Sequence, residues 1–226
     1  MHSETELRAR RLIVDRLKRY HYPPRTKLTR EILSEELGIG VTPIGAALKL
    51  IHWEGMITHK RKGGYFVKPP LASDIRGLIW NTESVLSGII AHVEDDPTWL
   101  DHVDLGDLPA RDIVTPETDK QYGAFIADLT GNVFSLIARL SASDIIDRTI
   151  ETMNNRLYFM RSLEWEILGD TSPDISAMIE HLQSGDFANL RTSIVAYHKK
   201  RSDNLHRLVE LVCLQANRPD DTRRSA

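Results

Sequence analysis

Between residues 59 and 64 the chain reads His59-Lys60-Arg61-Lys62-Gly63-Gly64, a basic run against a glycine turn. Such a cluster can neutralise phosphates, each contact releasing a condensed counterion from a polyanion. Thr42, Lys49 and His52 lie shortly upstream, on a segment of helical periodicity, and offer hydroxyl, ammonium and imidazole groups to the same kind of partner. The chemistry these types support is recognition: lysine and arginine meet phosphates or guanine edges, and a hydroxyl meets a phosphate.

Arrangements for bond making are missing. The sequence has no Gly-x-Ser-x-Gly elbow, no glycine-rich phosphate loop and no His-Glu-x-x-His pair. Its nine histidines are dispersed, and none has an evident triad partner. A non-enzymatic role is therefore expected. The single cysteine, Cys213, sits in the apolar helical stretch LHRLVELVCLQA, where it reads as a small core side chain and leaves no internal disulfide to form.

Charge is divided unevenly. Residues 1–70 carry 14 Lys+Arg against 7 Asp+Glu, whereas the remainder carries 15 against 25. A basic head on an acidic body suits a polyanion partner for the head alone. No apolar stretch nears the roughly 18 residues that cross a bilayer, and the charged start (MHSETELRARRLIVDRL) lacks the apolar segment of a signal peptide. The expectation is a soluble, cytoplasmic protein with no membrane partner.

The elements that must position these groups follow from local signals. Residues 5–20 form an amphipathic helix, with Leu7, Ile13, Val14 and Leu17 on its apolar side. Pro23 and Pro24 break it. Thr29 is an N-cap for a second short helix, and Gly38 ends that helix. Thr42-Pro43 opens a third, which buries Ile44, Ala47, Leu48 and Ile51 and stops at Gly55. MITHKRKGGYFVKP then reads as two strands around a basic turn. Helix, helix–turn–helix and hairpin in this order predict a winged helix–turn–helix over residues 1–68.

Lys68-Pro69-Pro70 is a stiff linker. Beyond it, residues 74–93, 117–140, 142–169, 173–184 and 187–215 have helical periodicity, separated by glycine, proline and aspartate clusters. Residues 69–217 are thus expected to be an all-α bundle of about six helices. Residues 218–226 are a polar tail expected to be disordered. The fold class is mainly α: an N-terminal winged helix–turn–helix followed by an all-α helical-bundle domain.

LTREILSEELGIGVTPIGAALKLIHWEGMI followed by HKRKGGYFV resembles the DNA-binding domain of the GntR family of transcriptional regulators. The matching features are the Leu-Gly-hydrophobic turn, Thr-Pro at the third helix, Ala-Leu within it, Glu-Gly before the wing and Gly-aromatic-Val at its end. The second domain resembles the helical effector domain of the FadR-like branch, through Asp74-Ile75 after the prolines, DKQYGAFIADLTGN at 119–132 and Gly185-Asp186 before a long final helix. The resemblance implies a homodimer on double-stranded DNA, acting as a repressor relieved by a small organic effector.

Departures are equally informative. Where the family has Ser-Arg before Thr-Pro and Arg-Glu after it, this chain has Gly40, Val41, Gly45 and Ala46. An upstream arginine of the family aligns with Glu31, with Arg30 beside it. Arginine best reads guanine in a bidentate way. DNA contact is then expected from Arg30, Thr42, Lys49, His52, His59, Lys60, Arg61, Lys62 and the Gly63 turn. The rival expectation is a sensing or protein-interaction module of the same fold that has lost sequence-specific DNA binding.

In the FadR-like branch the resemblance also implies a divalent metal held by an aspartate, a histidine four residues on and two later histidines. The aligned residues here are Asp119, Gly123, Ile175 and Tyr197, with His198 one place on. No cofactor is expected, and any metal would have only Asp119 and His198. The arginine that the branch uses for carboxylate effectors aligns with Thr82. The candidate effector residues are Thr82, Asp119, Tyr122, Asn155, Arg156, Tyr197 and His198. Aromatic residues Trp80, Trp99, Phe125, Phe134, Tyr158, Phe159 and Trp165 are expected in the core or as walls for an effector more apolar than the usual acids.

Overall fold

Ser3 starts the first helix with a reciprocal cap: its Oγ accepts from the Glu6 backbone N–H, and the Glu6 carboxylate accepts from the Ser3 N–H. The computed structural model describes residues 3–94, 98 and 119–218, side chains 119 and 120 excepted. It divides the chain into two units, Met1–Pro70 with Val212–Ala226, and Leu71–Leu211. Trp99 lies outside the described residues.

In the first unit, α1 (Glu4–Lys18) buries Ala9, Ile13, Val14 and Leu17. Leu7, expected on that side, is 44% exposed, because Ala9 takes its place in the buried strip. α1 packs on α3 (Val41–Trp53), and α2 (Arg30–Leu37) packs on α3 as well. Thr29 caps α2 through the Ile32 N–H at 3.3 Å, and Gly38 ends it in the left-handed region at φ 63°. β1 (Lys27–Leu28), β2 (Ile57–Lys60) and β3 (Gly64–Val67) form an antiparallel sheet in the order β1-β3-β2. Sequence reading missed β1, which is two residues long and acquires its strand character only by pairing, Lys27 with Phe66 and Leu28 with Tyr65. The result is a winged helix–turn–helix around one core of Ile13, Leu33, Ile44, Leu48, Ile51 and Ile57.

The second unit is wholly helical among its described residues: α4 (Ala72–Val93), α5 (Asp119–Arg139), α6 (Asp144–Leu163), α7 (Trp165–Leu168), α8 (Ser172–Ser184), α9 (Phe187–Asp203) and the start of α10 (Leu205–Ala216). α5 lies against α6, and α9 packs on α4 and α8. Their shared core includes Leu86, Ile90, Val133, Phe134, Ile137, Met178, Leu190 and Ile194.

Two long helices expected from periodicity are each broken. The first break, between α6 and α7, falls on Glu164, whose side chain is fully buried. The second falls on Asn204, whose Nδ2 donates to the Lys200 carbonyl at 2.9 Å and satisfies an end-of-helix acceptor. Neither break changes hydrophobic periodicity, so neither was visible in it.

Trp80 is 66% exposed rather than in the core, because Ile75, Leu78, Ile79, Thr82 and Leu86 define the buried strip of α4. Gly123 on α5 sits where the helices come closest: an added Cβ would collide with the Ser162 carbonyl oxygen of α6.

Candidate functional site

α3 is capped by Gly40 with no side-chain hydrogen bond, so Thr42 is not the cap but lies exposed in the first turn. Its first amides therefore have no side-chain acceptor, an arrangement suited to an oxyanion of phosphate. Lys49 is exposed on the same helix, while Ile44, Ala47, Leu48 and Ile51 are buried. Arg30, at the start of α2, lays its guanidinium over Gly45, where the missing side chain makes room for it. An arginine is thus present beside α3 although none is encoded within it.

His52 is tied inward. Its Nδ1 is 3.2 Å from the Ile57 carbonyl oxygen, and its ring meets those of His59 at 5.9 Å and Tyr65 at 6.0 Å. This cluster joins the end of α3 to the wing. Lys60, Arg61 and Lys62 are exposed at the wing tip, with the Lys60 ammonium 4.8 Å from the centre of the Phe66 ring. Gly63 is close-packed, since a Cβ would stand 3.2 Å from Phe66. Gly64 turns the hairpin at φ 86°.

In the helical unit the expected effector residues do not form one group. Thr82 is fully buried, and its hydroxyl donates to the Leu78 carbonyl at 2.7 Å. Tyr122 donates to Asp170 at 2.5 Å and accepts the Thr171 N–H at 3.1 Å, tying α5 to the start of α8. Arg156 reaches Asp74 at 3.8 Å, and both it and Asn155 are half-buried. The side chain of Asp119 lies outside the described residues.

Tyr197 and His198, by contrast, are both in the core and pack around Phe134, with ring centres at 5.4 Å and 5.5 Å. His198 Nδ1 donates to the Ile194 carbonyl at 2.8 Å. Burial pushes its imidazole down to about 3, helped by the charges of Arg161 and Arg201 and opposed by that hydrogen bond, so the ring is neutral at pH 7. Burial likewise raises the Tyr197 phenol.

The most heavily buried charges went unforeseen. Arg161 on α6 and Arg201 on α9 are each 1% exposed, and Glu164 is fully buried. Arg201 Nε and Nη2 form a two-pronged bond to Glu164, and its guanidinium lies 3.3 Å over the Tyr197 ring. Burial works against its charge, but coupling to Tyr197 and Glu164 outweighs it and holds the guanidinium above its ordinary value. Arg161 has no such carboxylate. Its Nη1 donates to Asn154 Oδ1 at 2.9 Å and its guanidinium sits 4.9 Å from the Phe134 centre. Its Nε and Nη2 have no hydrogen-bond partner among the described residues, nor do the Tyr197 hydroxyl and His198 Nε2. Desolvation lowers the Arg161 pKa from its ordinary value. The signal was available: Arg161 follows Leu157 by four residues and Arg201 follows Tyr197 by four, which places both on buried strips.

The donor set here does not suit a divalent metal. Position 123 has no room for a ligand, Ile175 is buried and apolar, and position 197 supplies a phenol beside a single imidazole. Among the described residues no three His, Cys, Asp or Glu side chains gather for one, and no helix is long and apolar enough to cross a membrane.

Several solved structures share the whole architecture. Escherichia coli McbR/YncC superposes with a TM-score of 0.68 at 16% identity, covering 91% of this chain and 98% of that one. A putative GntR transcriptional regulator from Rhodococcus sp. RHA1 gives 0.62 at 14% identity, covering 92% and 99%. Lar, which controls expression of the Listeria monocytogenes agr system and mediates virulence, gives 0.51 at 16%, covering 92% and 99%. At these identities the likeness establishes the fold, a winged helix joined to a helical domain. No protein-family profile and no curated protein sequence matches the chain.

Proposed function

We propose that the chain is a cytoplasmic transcriptional regulator of the GntR family, a homodimeric repressor whose affinity for double-stranded DNA is set by a small organic effector in the helical unit. The observation that carries this reading is the dressing of the recognition helix. α3 exposes Thr42 and Lys49, has an uncapped first turn, and is flanked by Arg30 and by the exposed Lys60, Arg61 and Lys62 of the wing. A basic surface of that composition suits phosphate contacts plus limited base reading.

Dimeric winged helices read inverted repeats whose half-site spacing follows the two-fold axis. An effector that binds one arrangement of the two heads more tightly shifts operator affinity by that difference. Regulation rather than catalysis is supported by the absence of any catalytic motif and by the company the fold keeps.

The test is selection of random DNA duplexes on the purified protein at low and moderate salt. A palindromic motif, bound more weakly when Lys60, Arg61 and Lys62 become alanine, supports the reading. Unselected DNA with a steep salt dependence removes sequence specificity from it. Failure to retain DNA at either salt replaces it with a sensing or interaction module.

A further inference from the structure

We propose that Arg161 anchors the carboxylate of a monoanionic ligand inside the helical unit, without a metal, through its unpartnered Nε–H and Nη2–H. This rests on the effector reading above and names the chemistry of its site.

Geometry comes first. Nε–H and Nη2–H share one edge of the guanidinium and point in parallel, the fork that matches the two oxygens of a carboxylate. The remaining donor group, Nη1, is already engaged by Asn154 Oδ1 at 2.9 Å, which fixes the plane of the guanidinium and leaves that edge without a hydrogen-bond partner among the described residues. Asn154 is itself held, donating to the Gly131 carbonyl at 3.0 Å and to Ser135 at 3.2 Å. The fork is therefore oriented by two helices, α6 and α5.

Charge gives the second argument. Among the described residues three ionic side chains are fully buried: Arg161, Arg201 and Glu164. Glu164 is committed to Arg201 through both of its oxygens, and Asp174, 30% exposed, also leans to Arg201 at 3.6 Å. Tyr197 and His198 are neutral at pH 7. The three fully buried groups sum to one positive charge, since Asp174 is shared with the half-exposed Lys200, and a buried unpaired cation is costly. A monoanion balances it; a dianion would leave the opposite excess.

The neighbouring orphans extend the same site. Phe134 touches Arg161, Tyr197 and His198 at once. The Tyr197 hydroxyl interacts with Arg161 and Thr130 without a well-formed hydrogen bond to either, and stands beside the fork where it can turn to the same carboxylate. His198 carries its proton on Nδ1, so Nε2 is an acceptor that would take an O–H or N–H from the rest of the molecule.

The test melts the full chain near neutral pH in sodium acetate, butyrate and benzoate, against sodium chloride at matched ionic strength, with and without EDTA. A saturable rise in Tm with the monocarboxylates, absent with chloride and unchanged by EDTA, is expected. Arg161→Met should weaken that binding roughly 30-fold or more. If Arg161→Met does not fold, the Nε–H resonance of Arg161 in the native chain reads the same contact and should move as acetate is added. No monocarboxylate response beyond chloride, an equal response in Arg161→Met, a response abolished by EDTA or an unmoved Nε–H would each overturn the proposal.

DNA retention measured alongside separates the two readings. Carboxylate binding that leaves DNA affinity unchanged sinks the effector role and keeps the site. DNA binding by a chain that ignores every monocarboxylate sinks the site and keeps the regulator.

Discussion

Arg30 lies across Gly45: a Cβ on that glycine would stand 2.9 Å from the arginine Nε and 3.1 Å from its Cζ. α3 borrows its arginine from the preceding helix, and the absence of a side chain at position 45 is the condition for it. Gly45→Ala should displace the flexible end of Arg30 while leaving the fold intact, because alanine gains up to about 1 kcal/mol over glycine in a helix interior. DNA affinity should fall in Gly45→Ala and in Arg30→Ala, and the double variant should be no weaker than Arg30→Ala alone. Additive losses in that cycle, measured by DNA titration, would show that the two residues act separately.

The wing makes a second, different prediction. Lys60, Arg61 and Lys62 are exposed and are expected to meet phosphates. Each alanine substitution should lower affinity uniformly across DNA sequences and reduce the log–log salt slope by about 1. A variant that changes which sequences are selected, with the slope unaltered, would instead place that residue on a base edge.

His198 sets a dependence on acid. Its imidazole stands at about 3 in the folded chain against an ordinary 6.5. Above pH 6.5 the ring is neutral folded or unfolded, and no stability is at stake. As pH falls from 6.5 towards 3 the unfolded chain takes up a proton that the folded chain refuses, so stability drops by about 1.4 kcal/mol per pH unit at most. His198→Gln should flatten that loss between pH 6.5 and pH 4.5. Denaturant midpoints across this window, with identical slopes in both proteins, would remove His198 as the cause.

Glu164 and Arg201 should behave as a unit. Removing one partner, as in Glu164→Gln, leaves a charge buried at 1% exposure and should cost about 3–5 kcal/mol. Replacing both, Glu164→Leu with Arg201→Met, should recover most of that loss. Urea denaturation of the three variants reads the comparison directly.

Two glycines of α5 provide matched controls. Gly131→Ala meets only ordinary contacts, at 3.8 Å from Asn154, and should be neutral or stabilising by up to about 1 kcal/mol. Gly123→Ala meets the Ser162 backbone and should destabilise by about 3 kcal/mol. Equal melting temperatures for the two variants would refute the close approach of α5 to α6.

The winged helix was legible because its signals are local. Thr29 caps, Gly38 adopts a left-handed turn, and Lys60 to Gly64 closes a hairpin, each within a few residues of its partners. The helical unit was legible only as periodicity. Charges at core register, Arg161 and Arg201, are stabilised or left wanting by residues far away in sequence, and Glu164 lies 37 positions from its partner Arg201. Polar residues that seemed to interrupt a core strip, Asn155 and Arg156, are half-buried, while the consequential neighbours are Asn154 and Arg161. A rule that treats an arginine as exposed hides the groups that a buried site needs.

The crowding at Gly123 has a historical consequence. What blocks that position is a peptide oxygen, not a side chain, so no change of rotamer and no compensating small residue at 162 can clear it. Every single-codon change away from glycine there meets the same wall. With α5 and α6 settled this close, the chain cannot gain a histidine at 123 by point substitution; one of the two helices must first move aside, and the other residues between them must change with it.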